Sequence, residues 1–150
     1  MAEPFRSHMY GALAEARAAA ARGEVPVGAV VVRDGSVIAA ASNRTRQDAD
    51  PTAHAEMLAL RAAAAALGSE RLAGCDLYVT LEPCAMCAGA IAAARIARLY
   101  YGAEDPKSGG VAHGARVFEH AQTHHAPEIY GGIGEAEAAG LLRDFFAARR

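Results

Sequence analysis

The sequence predicts an α/β fold on three observations: a β-hairpin signal near the N-terminus, a strand, helix and strand succession in the middle, and helical patterns at both ends. The chain has 150 residues, of which 53% are hydrophobic and 21% charged, with a formal net charge of −2 at pH 7. This composition is typical of one globular domain, and we expect residues 1–150 to form it. It excludes disordered, fibrous and collagen-like proteins.

The first part of the chain predicts a helix followed by the hairpin. Apolar residues at helical spacing predict a helix over about residues 7–22. Residues 27–33 and 36–42 then flank Asp34 and Gly35, a dipeptide suited to the positive φ angles of a two-residue turn. We therefore expect two antiparallel strands here.

The middle of the chain predicts a second helix and a βαβ unit. Residues 50–52 (Asp-Pro-Thr) can start a helix, because proline fixes φ and Asp or Thr can cap, and the alanine-rich run behind them ends at Gly68. Residues 76–81 predict a buried strand, 84–94 a short helix and 96–101 another strand. Since the links are short, the two strands should be parallel.

The last third predicts a functional loop and a closing helix. Residues 102–114 contain Pro106 and several glycines, and a loop of this length is often functional. A strand is possible at 128–131, and a helix is expected from residue 134 or 135 to 149. The apolar stripe of that helix is expected to be Leu141, Leu142, Phe145 and Phe146.

Three residues form a candidate metal site: His54, Cys84 and Cys87. On a helix that starts at Cys84 the two thiols share one face, and the helix N-terminus lowers their pKa towards the thiolate that binds metal. One imidazole and two thiolates are three ligands for tetrahedral Zn²⁺. Because no fourth Cys or His is spaced like a ligand, a position stays open for water, as in catalytic zinc sites. The alternative reading of Cys84 and Cys87 is a pair of buried thiols or a redox pair.

Glu56 is the candidate catalytic residue. It follows His54 by two positions, so both cannot be simple ligands of one metal on a regular helix. At the first turn, however, His54 can face the metal while Glu56 reaches the water. Zinc lowers the pKa of water from about 15.7 to about 7, and a nearby carboxylate can take and deliver its proton. A carboxylate beside a metal-bound water in this way suits a hydrolytic reaction.

His-x-Glu followed by Pro-Cys-x-x-Cys resembles the signature of zinc-dependent nucleobase deaminases. The chain is thus similar to the cytidine deaminase superfamily and, within it, to the bacterial tRNA-specific adenosine deaminases. The likeness extends over residues 24–30, 43–44, 50–56 and 77–84. The narrower assignment depends on residues 102–109, similar to that family's Asp-x-Lys-Thr/Ser-Gly loop, and on the Asp-Phe-Phe and Arg-Arg ending.

The resemblance implies a three-layer αβα fold, with a central mixed sheet of about five strands and helices on both faces. It implies a homodimer, one Zn²⁺ per subunit held by His54, Cys84 and Cys87, and Glu56 as the proton shuttle. The partner would be a tRNA anticodon stem-loop, whose wobble adenosine becomes inosine. Asn43 would bind the base or ribose, with Val25, Pro26 and Ala55 around it. The expected RNA contacts are Asp105, Lys107, Ser108, His120, Phe146, Arg149 and Arg150.

Two rival functions remain open at this point. A deaminase of a free base or nucleoside would keep the same zinc residues without a basic rim, and the net charge of −2 with Glu104 favours it. A non-catalytic RNA-binding or zinc-stabilised module is the second rival, although such a module has no use for Glu56. Phe145 and Phe146 suit helix packing, with base stacking as the alternative.

The sequence also predicts where the protein works. Its longest strongly apolar run, residues 25–32, is well short of the roughly 18–20 residues of a transmembrane helix, and the first residues do not resemble a signal peptide. We therefore expect a cytoplasmic protein without a membrane partner. Cys75, with no partner at metal spacing, is expected to be a small buried hydrophobic residue.

Overall fold

A computed structural model describes residues 7–149, which form a five-stranded sheet between two layers of helices. The helices are α1 (Met9–Ala21), α2 (Ala55–Leu67), α3 (Ala85–Ala94) and α4 (Glu135–Ala147), with a short 3-10 helix at Val117–Glu119. The strands are β1 (Gly28–Arg33), β2 (Ser36–Ser42), β3 (Cys75–Leu81), β4 (Arg98–Ala103) and β5 (Glu128–Tyr130).

The sheet is mixed and has the strand order β2-β1-β3-β4-β5. β1 is antiparallel to both β2 and β3, whereas β4 is parallel to both β3 and β5. The hairpin turn has φ angles of 50° at Asp34 and 77° at Gly35, as the Asp-Gly dipeptide predicts. The predicted hairpin, parallel βαβ unit and mixed five-stranded sheet are therefore confirmed.

Each face of the sheet has its own apolar core. Val31 and Leu77 belong to the cluster that includes residues of α2 and α3. Val30, Val32 and Tyr78 belong to the cluster that includes residues of α1 and α4. Because successive side chains of a strand point to opposite faces, one run of apolar residues supplies both cores. This explains why β1 is almost continuously hydrophobic, and it confirms helices on both faces.

The α1 layer lies unusually close to the sheet at Gly28. A Cβ at Gly28 would collide with the backbone of Ala12 and Ala16 in α1. The Gly28 N–H also donates a hydrogen bond of 3.2 Å to the buried hydroxyl of Thr80 on β3. Because glycine has no side chain, α1 can pack closely against the start of β1.

Three element predictions need correction. Residues 50–52 do not start α2: Asp50 Oδ1 accepts hydrogen bonds of 2.8 Å from the Thr52 N–H and hydroxyl, which closes a turn, and the helix begins at Ala55. β4 begins two residues later than predicted, because the Ile96 N–H still donates to the Ile91 carbonyl of α3 at 3.4 Å. The apolar stripe of α4 does not extend to Phe146, which is 48% exposed, although Phe145 is buried.

Two smaller expectations concern burial and membranes. Cys75 is fully buried in the apolar core, as predicted for a small hydrophobic residue. Among residues 7–149, no helix has both the length and the apolar character that a membrane crossing requires.

Candidate metal centre and its cavity

Two helix N-termini bring the predicted metal ligands together. His54 is the residue before α2 and Cys84 is the residue before α3, and both have extended backbone, with ψ angles of 152° and 174°. Neither side chain caps its own helix. Both side chains can therefore face the same point, which lies beyond the end of β3. Cys87, in the first turn of α3, faces that point as well.

The distances in this group fit a tetrahedral metal ion. Nδ1 of His54 lies 3.7 Å from Sγ of Cys84 and 3.5 Å from Sγ of Cys87. All three atoms lie within 4.8 Å of one another. Zinc bonds of about 2.3 Å to sulfur and about 2.0 Å to nitrogen would separate the nitrogen and sulfur of a tetrahedral site by about 3.5 Å. The three side chains are thus already spaced as ligands of such an ion.

The three side chains differ in how readily each loses its proton. The pKa of Cys84 is lowered to about 4, because its sulfur accepts hydrogen bonds from Cys87 and then from His54. The hydrogen bond to Cys84 raises the pKa of His54. The pKa of Cys87 is raised by its hydrogen bond to Cys84 and by burial, so the prediction that both thiols are acidified holds for Cys84 alone. Thiolate and imidazole donors together are the ligand set that zinc prefers.

Glu56 lies beside this group without belonging to it. Its side chain is in the first turn of α2, is only 4% exposed and contacts Cys87. Burial raises the pKa of the Glu56 carboxyl. A carboxyl with a raised pKa can both accept and donate a proton closer to neutral pH than an exposed glutamate can. Glu56 is therefore a buried carboxyl next to one of the predicted metal ligands.

A cavity of about 270 Å³ opens at these residues. Val25, Val27 and Leu81 give it apolar walls, and Asn43 is a buried polar residue of its lining. The complete lining is Val25, Val27, Asn43, Thr45, His54, Ala55, Glu56, Leu81, Glu82, Cys84, Asp105 and Ser108. The space is at the small end of ligand sites, suited to one planar ring system.

The predicted binding residues are mostly, but not all, at this cavity. Val25, Asn43 and Ala55 line it, whereas Pro26 is buried without lining it and Val27 is there instead. The backbone of Asn43 is fixed on both sides. Its N–H donates to the Val27 carbonyl at 3.0 Å, and its carbonyl accepts from Arg22 Nη2 at 3.0 Å.

Asp105 and Ser108 also line the cavity, from the predicted loop. Oδ1 of Asp105 accepts the backbone N–H groups of Lys107 and Ser108 at 3.2 and 2.9 Å, which closes the turn. Lys107 is exposed and does not line the cavity. Two of the three residues named in this loop, Asp105 and Ser108, therefore line the cavity, and their RNA contacts stay a prediction.

Sequence reasoning missed Glu82, the residue that holds this loop. Its carboxylate is 2% exposed and accepts backbone N–H groups of Asp105, Val111, Ala112 and His113, at 3.0 to 3.1 Å. Burial would raise the pKa of Glu82, but the His113 side chain and these backbone donors lower it overall. A charged residue directly after an apolar strand was the available signal.

The remaining expected contacts lie away from the cavity lining. His120 is exposed, and its Nε2 is 2.6 Å from the Ala115 carbonyl. Arg149 donates to the Phe145 carbonyl at 3.1 Å and stacks over the Phe145 ring, while Phe146 is exposed. Arg150 lies outside the described residues.

Comparisons with known proteins agree with these features. A family profile described as MafB19-like deaminase matches residues 4–150. Over 146 residues the chain is 59% identical to the tRNA-specific adenosine deaminase of Agrobacterium fabrum, in an alignment that covers 97% of this chain and 96% of that relative.

Solved structures share the fold. A structure from a study of A-to-I editing by tRNA:A34 deaminases at the wobble position of transfer RNA matches with a TM-score of 0.89 and 59% identity. That match covers 91% of this chain and 100% of the other. The guanine deaminase from Nitrosomonas europaea matches with a TM-score of 0.82 and 26% identity, over 97% of this chain and 87% of that one.

Proposed function

The chain belongs to the MafB19-like deaminase family, and on that premise we propose that it converts the wobble adenosine of a tRNA anticodon loop to inosine. The observation that carries the proposal is the 59% identity with a tRNA-specific adenosine deaminase over nearly the whole chain. The His54, Cys84, Cys87 and Glu56 cluster beside a base-sized cavity supports it. In the reaction, water replaces the amino group at C6 of adenine and ammonia leaves.

His54, Cys84 and Cys87 would hold one Zn²⁺ per subunit, since their donor types and separations suit it. When bound, zinc supplies an acidified water at neutral pH, with a pKa of about 7. Lowering the pKa of Cys84 prepares one thiolate before the ion arrives.

Glu56 is proposed to move the protons. Its buried carboxylate takes a proton from the attacking water and donates it to N1 of adenine, which makes C6 more electrophilic. The carboxylate then takes the second proton of that water from the hydroxyl at C6 and passes it to the departing amine. The C6–N bond breaks, the C6 carbonyl forms, ammonia leaves and the carboxylate is restored. Burial suits this role because it raises the pKa of Glu56 above that of an exposed glutamate.

The cavity walls are proposed to hold the base. Val25, Val27 and Leu81 offer apolar contacts to a planar ring, and Asn43 offers an amide for the base or ribose. Ala55, in the first turn of α2, lines the same cavity. An adenosine in an anticodon loop can enter this cavity, because turning an unpaired base out of a loop costs little free energy.

The wider assembly is part of the same proposal. A single domain, residues 1–150, carries the activity in the cytoplasm and works as a homodimer, as the family resemblance implies. Asp105 and Ser108 meet the RNA loop at the cavity opening. Lys107, His120, Phe146, Arg149 and Arg150 contact the RNA further out.

Deamination of free guanine is the second candidate, because the guanine deaminase of Nitrosomonas europaea shares the fold at 26% identity. A cavity of about 270 Å³ could also admit a free base. The identity of 59% with the tRNA-specific relative favours the RNA substrate.

One experiment separates the two. The zinc-loaded protein is incubated with an anticodon stem-loop carrying wobble adenosine, and in parallel with guanine, and Glu56→Gln is the matched inactive control. We expect inosine in the digested RNA by mass spectrometry and no ammonia from guanine. Ammonia from guanine without inosine would replace the RNA proposal with the free-base one.

A further inference from the structure

A second cavity adjoins the first and has a different character. It has a volume of about 430 Å³ and is lined by Arg22, Gly23, Glu24, Arg46 and Gln47. Two chain segments pass directly from one cavity to the other, because Glu24 is followed by Val25 and Thr45 is followed by Arg46. The two cavities are therefore lined by adjacent residues of the same two chain segments.

A buried carboxylate shapes the second cavity. Glu24 is 2% exposed and accepts the backbone N–H groups of Arg46 and Gln47 at 3.3 and 2.8 Å. It is thus engaged with the backbone and makes no ion pair with a guanidinium of residues 7–149. The consequence is that the loop carrying Arg46 is fixed while the Arg46 side chain stays at the surface.

Arg22 connects the two cavities. Its Nη2 donates to the hydroxyl of Ser42 at 2.9 Å and to the carbonyl of Asn43 at 3.0 Å. Asn43 lines the first cavity, so this guanidinium lies at the boundary between them. Arg149 is close by, since its Nη2 would lie 3.9 Å from a Cβ placed on Gly23.

In the described part of the chain, the two guanidiniums of this cavity are not ion-paired, and its one carboxylate, Glu24, is engaged with backbone N–H groups. Within residues 7–149, no carboxylate oxygen lies within 4.0 Å of a side-chain nitrogen of Arg22 or Arg46. Arg44, in the same loop, is by contrast paired with Asp48 at 3.2 Å. Two unpaired guanidiniums on the wall of a cavity are suited to a phosphate, because guanidinium binds phosphate oxygens with charge-assisted hydrogen bonds.

We propose that the second cavity binds a phosphate of the RNA strand next to the deaminated nucleotide, with Arg46 and Arg22 as its ligands. This inference rests on the proposed function, which places the target base in the first cavity. A nucleotide next to a base in the first cavity lies close to that cavity, and the second cavity is lined by the residues adjacent to Val25 and Thr45 of the first. Arg22 also donates a hydrogen bond to the carbonyl of Asn43, the residue proposed to bind the base. The same guanidinium would therefore take part in binding the phosphate and in positioning Asn43.

The test compares two charge-matched variants, Arg46→Gln and Arg33→Gln. Arg33 is exposed at the end of β1 away from both cavities, so its loss changes the net charge equally. With the stem-loop as substrate we expect Arg46→Gln to raise KM roughly tenfold with kcat within about twofold, since a charged hydrogen bond is lost in binding. We also expect it to flatten the slope of log KM against log salt by about one unit.

The outcomes are separable from those of the proposed function. Equal salt slopes for Arg46→Gln and Arg33→Gln, with wild-type turnover intact, would overturn the phosphate site and leave the deaminase proposal standing. If the wild type makes no inosine, the deaminase proposal fails. Stem-loop binding by fluorescence anisotropy then still decides the phosphate site by the same comparison of slopes.

Discussion

The carboxylate of Glu82 and the imidazole of His113 are 2.8 Å apart, from Oε1 to Nδ1. Glu82 follows the last residue of β3 and precedes Pro83 and Cys84, while His113 lies 31 residues along the chain. The same carboxylate accepts four backbone N–H groups of the following loop, those of Asp105, Val111, Ala112 and His113. One buried charge thus joins the metal-ligand segment to the loop at the cavity opening.

Replacing Glu82 should loosen that loop. Glu82→Gln puts an NH₂ group where only acceptors suit the backbone donors, so we expect the free energy of unfolding to fall by about 2–3 kcal/mol. His113→Asn removes one bond only and should cost about 1 kcal/mol. Urea denaturation measures both, and protease cleavage between residues 104 and 114 should increase for Glu82→Gln. Equal stability of Glu82→Gln and the wild type would contradict this account.

Glu56 should be separable from metal binding. Glu56→Gln keeps the buried volume and leaves the three ligand atoms in place, so zinc per subunit, measured by elemental mass spectrometry, should stay at the wild-type value. Turnover should fall by roughly 10²–10⁴-fold, the usual contribution of a general acid-base group. Loss of zinc in this variant would show that Glu56 is a ligand or holds one in place.

The metal should stabilise the fold through its ligands. His54 and Cys84 are 30 residues apart, and an ion bound to the folded chain at about 100 times its Kd adds about 2.7 kcal/mol. For a chain of this length we expect chelation to lower Tm by about 5–10 °C. Cys87→Ser should start at the lower Tm and show no further response to the chelator. A chelator effect of equal size in Cys87→Ser would refute the ligand assignment.

Asp76 should make stability depend on pH. Burial raises the pKa of this carboxyl against the opposing effect of Arg98, whose Nη1 is 3.6 Å away. Because the folded pKa is above the unfolded one, the charged form weakens folding at neutral pH, and stability is regained as pH falls through the folded pKa.

Asp76→Asn removes this effect. The unfolding free energy of Asp76→Asn at pH 7 should equal or exceed that of the wild type. As the pH is lowered to about 4, the unfolding free energy of the wild type should rise relative to that of the variant. Denaturant titrations at several pH values measure the difference, with exposed Asp144→Asn as the control for general charge. A difference that does not change with pH would contradict the prediction.

What the sequence could predict follows from how local each signal is. The Asp34 and Gly35 turn, the stop at Gly68 and the spacing of Cys84 and Cys87 are determined by neighbouring residues, and the structure confirms them. The metal ligands could also be predicted, because the ability of a Cys or His side chain to bind a metal does not depend on the fold.

Features that depend on tertiary packing were harder to predict. Pro26 was predicted to line the cavity, but Val27 lines it instead. The Val27 N–H donates to the Val25 carbonyl at 2.8 Å, and this tight turn before β1 could not be predicted from the sequence pattern. Phe146 is exposed because α4 buries its other side against the sheet. Glu24 and Glu82 hold loops that are distant in sequence, and no local pattern indicates the partner of a buried carboxylate.

The orientation of the sheet leaves one end of the protein available for attachment. Arg33 pairs with Cys75 and Ala29 with Val79, so the Asp34 and Gly35 turn lies at the start of β3. Cys84 follows the other end of that strand, about 20 Å away. The turn is exposed, and a side chain on Gly35 would contact nothing. A fluorophore, affinity tag or second enzyme could therefore be joined at this turn, with the catalytic end still facing solution.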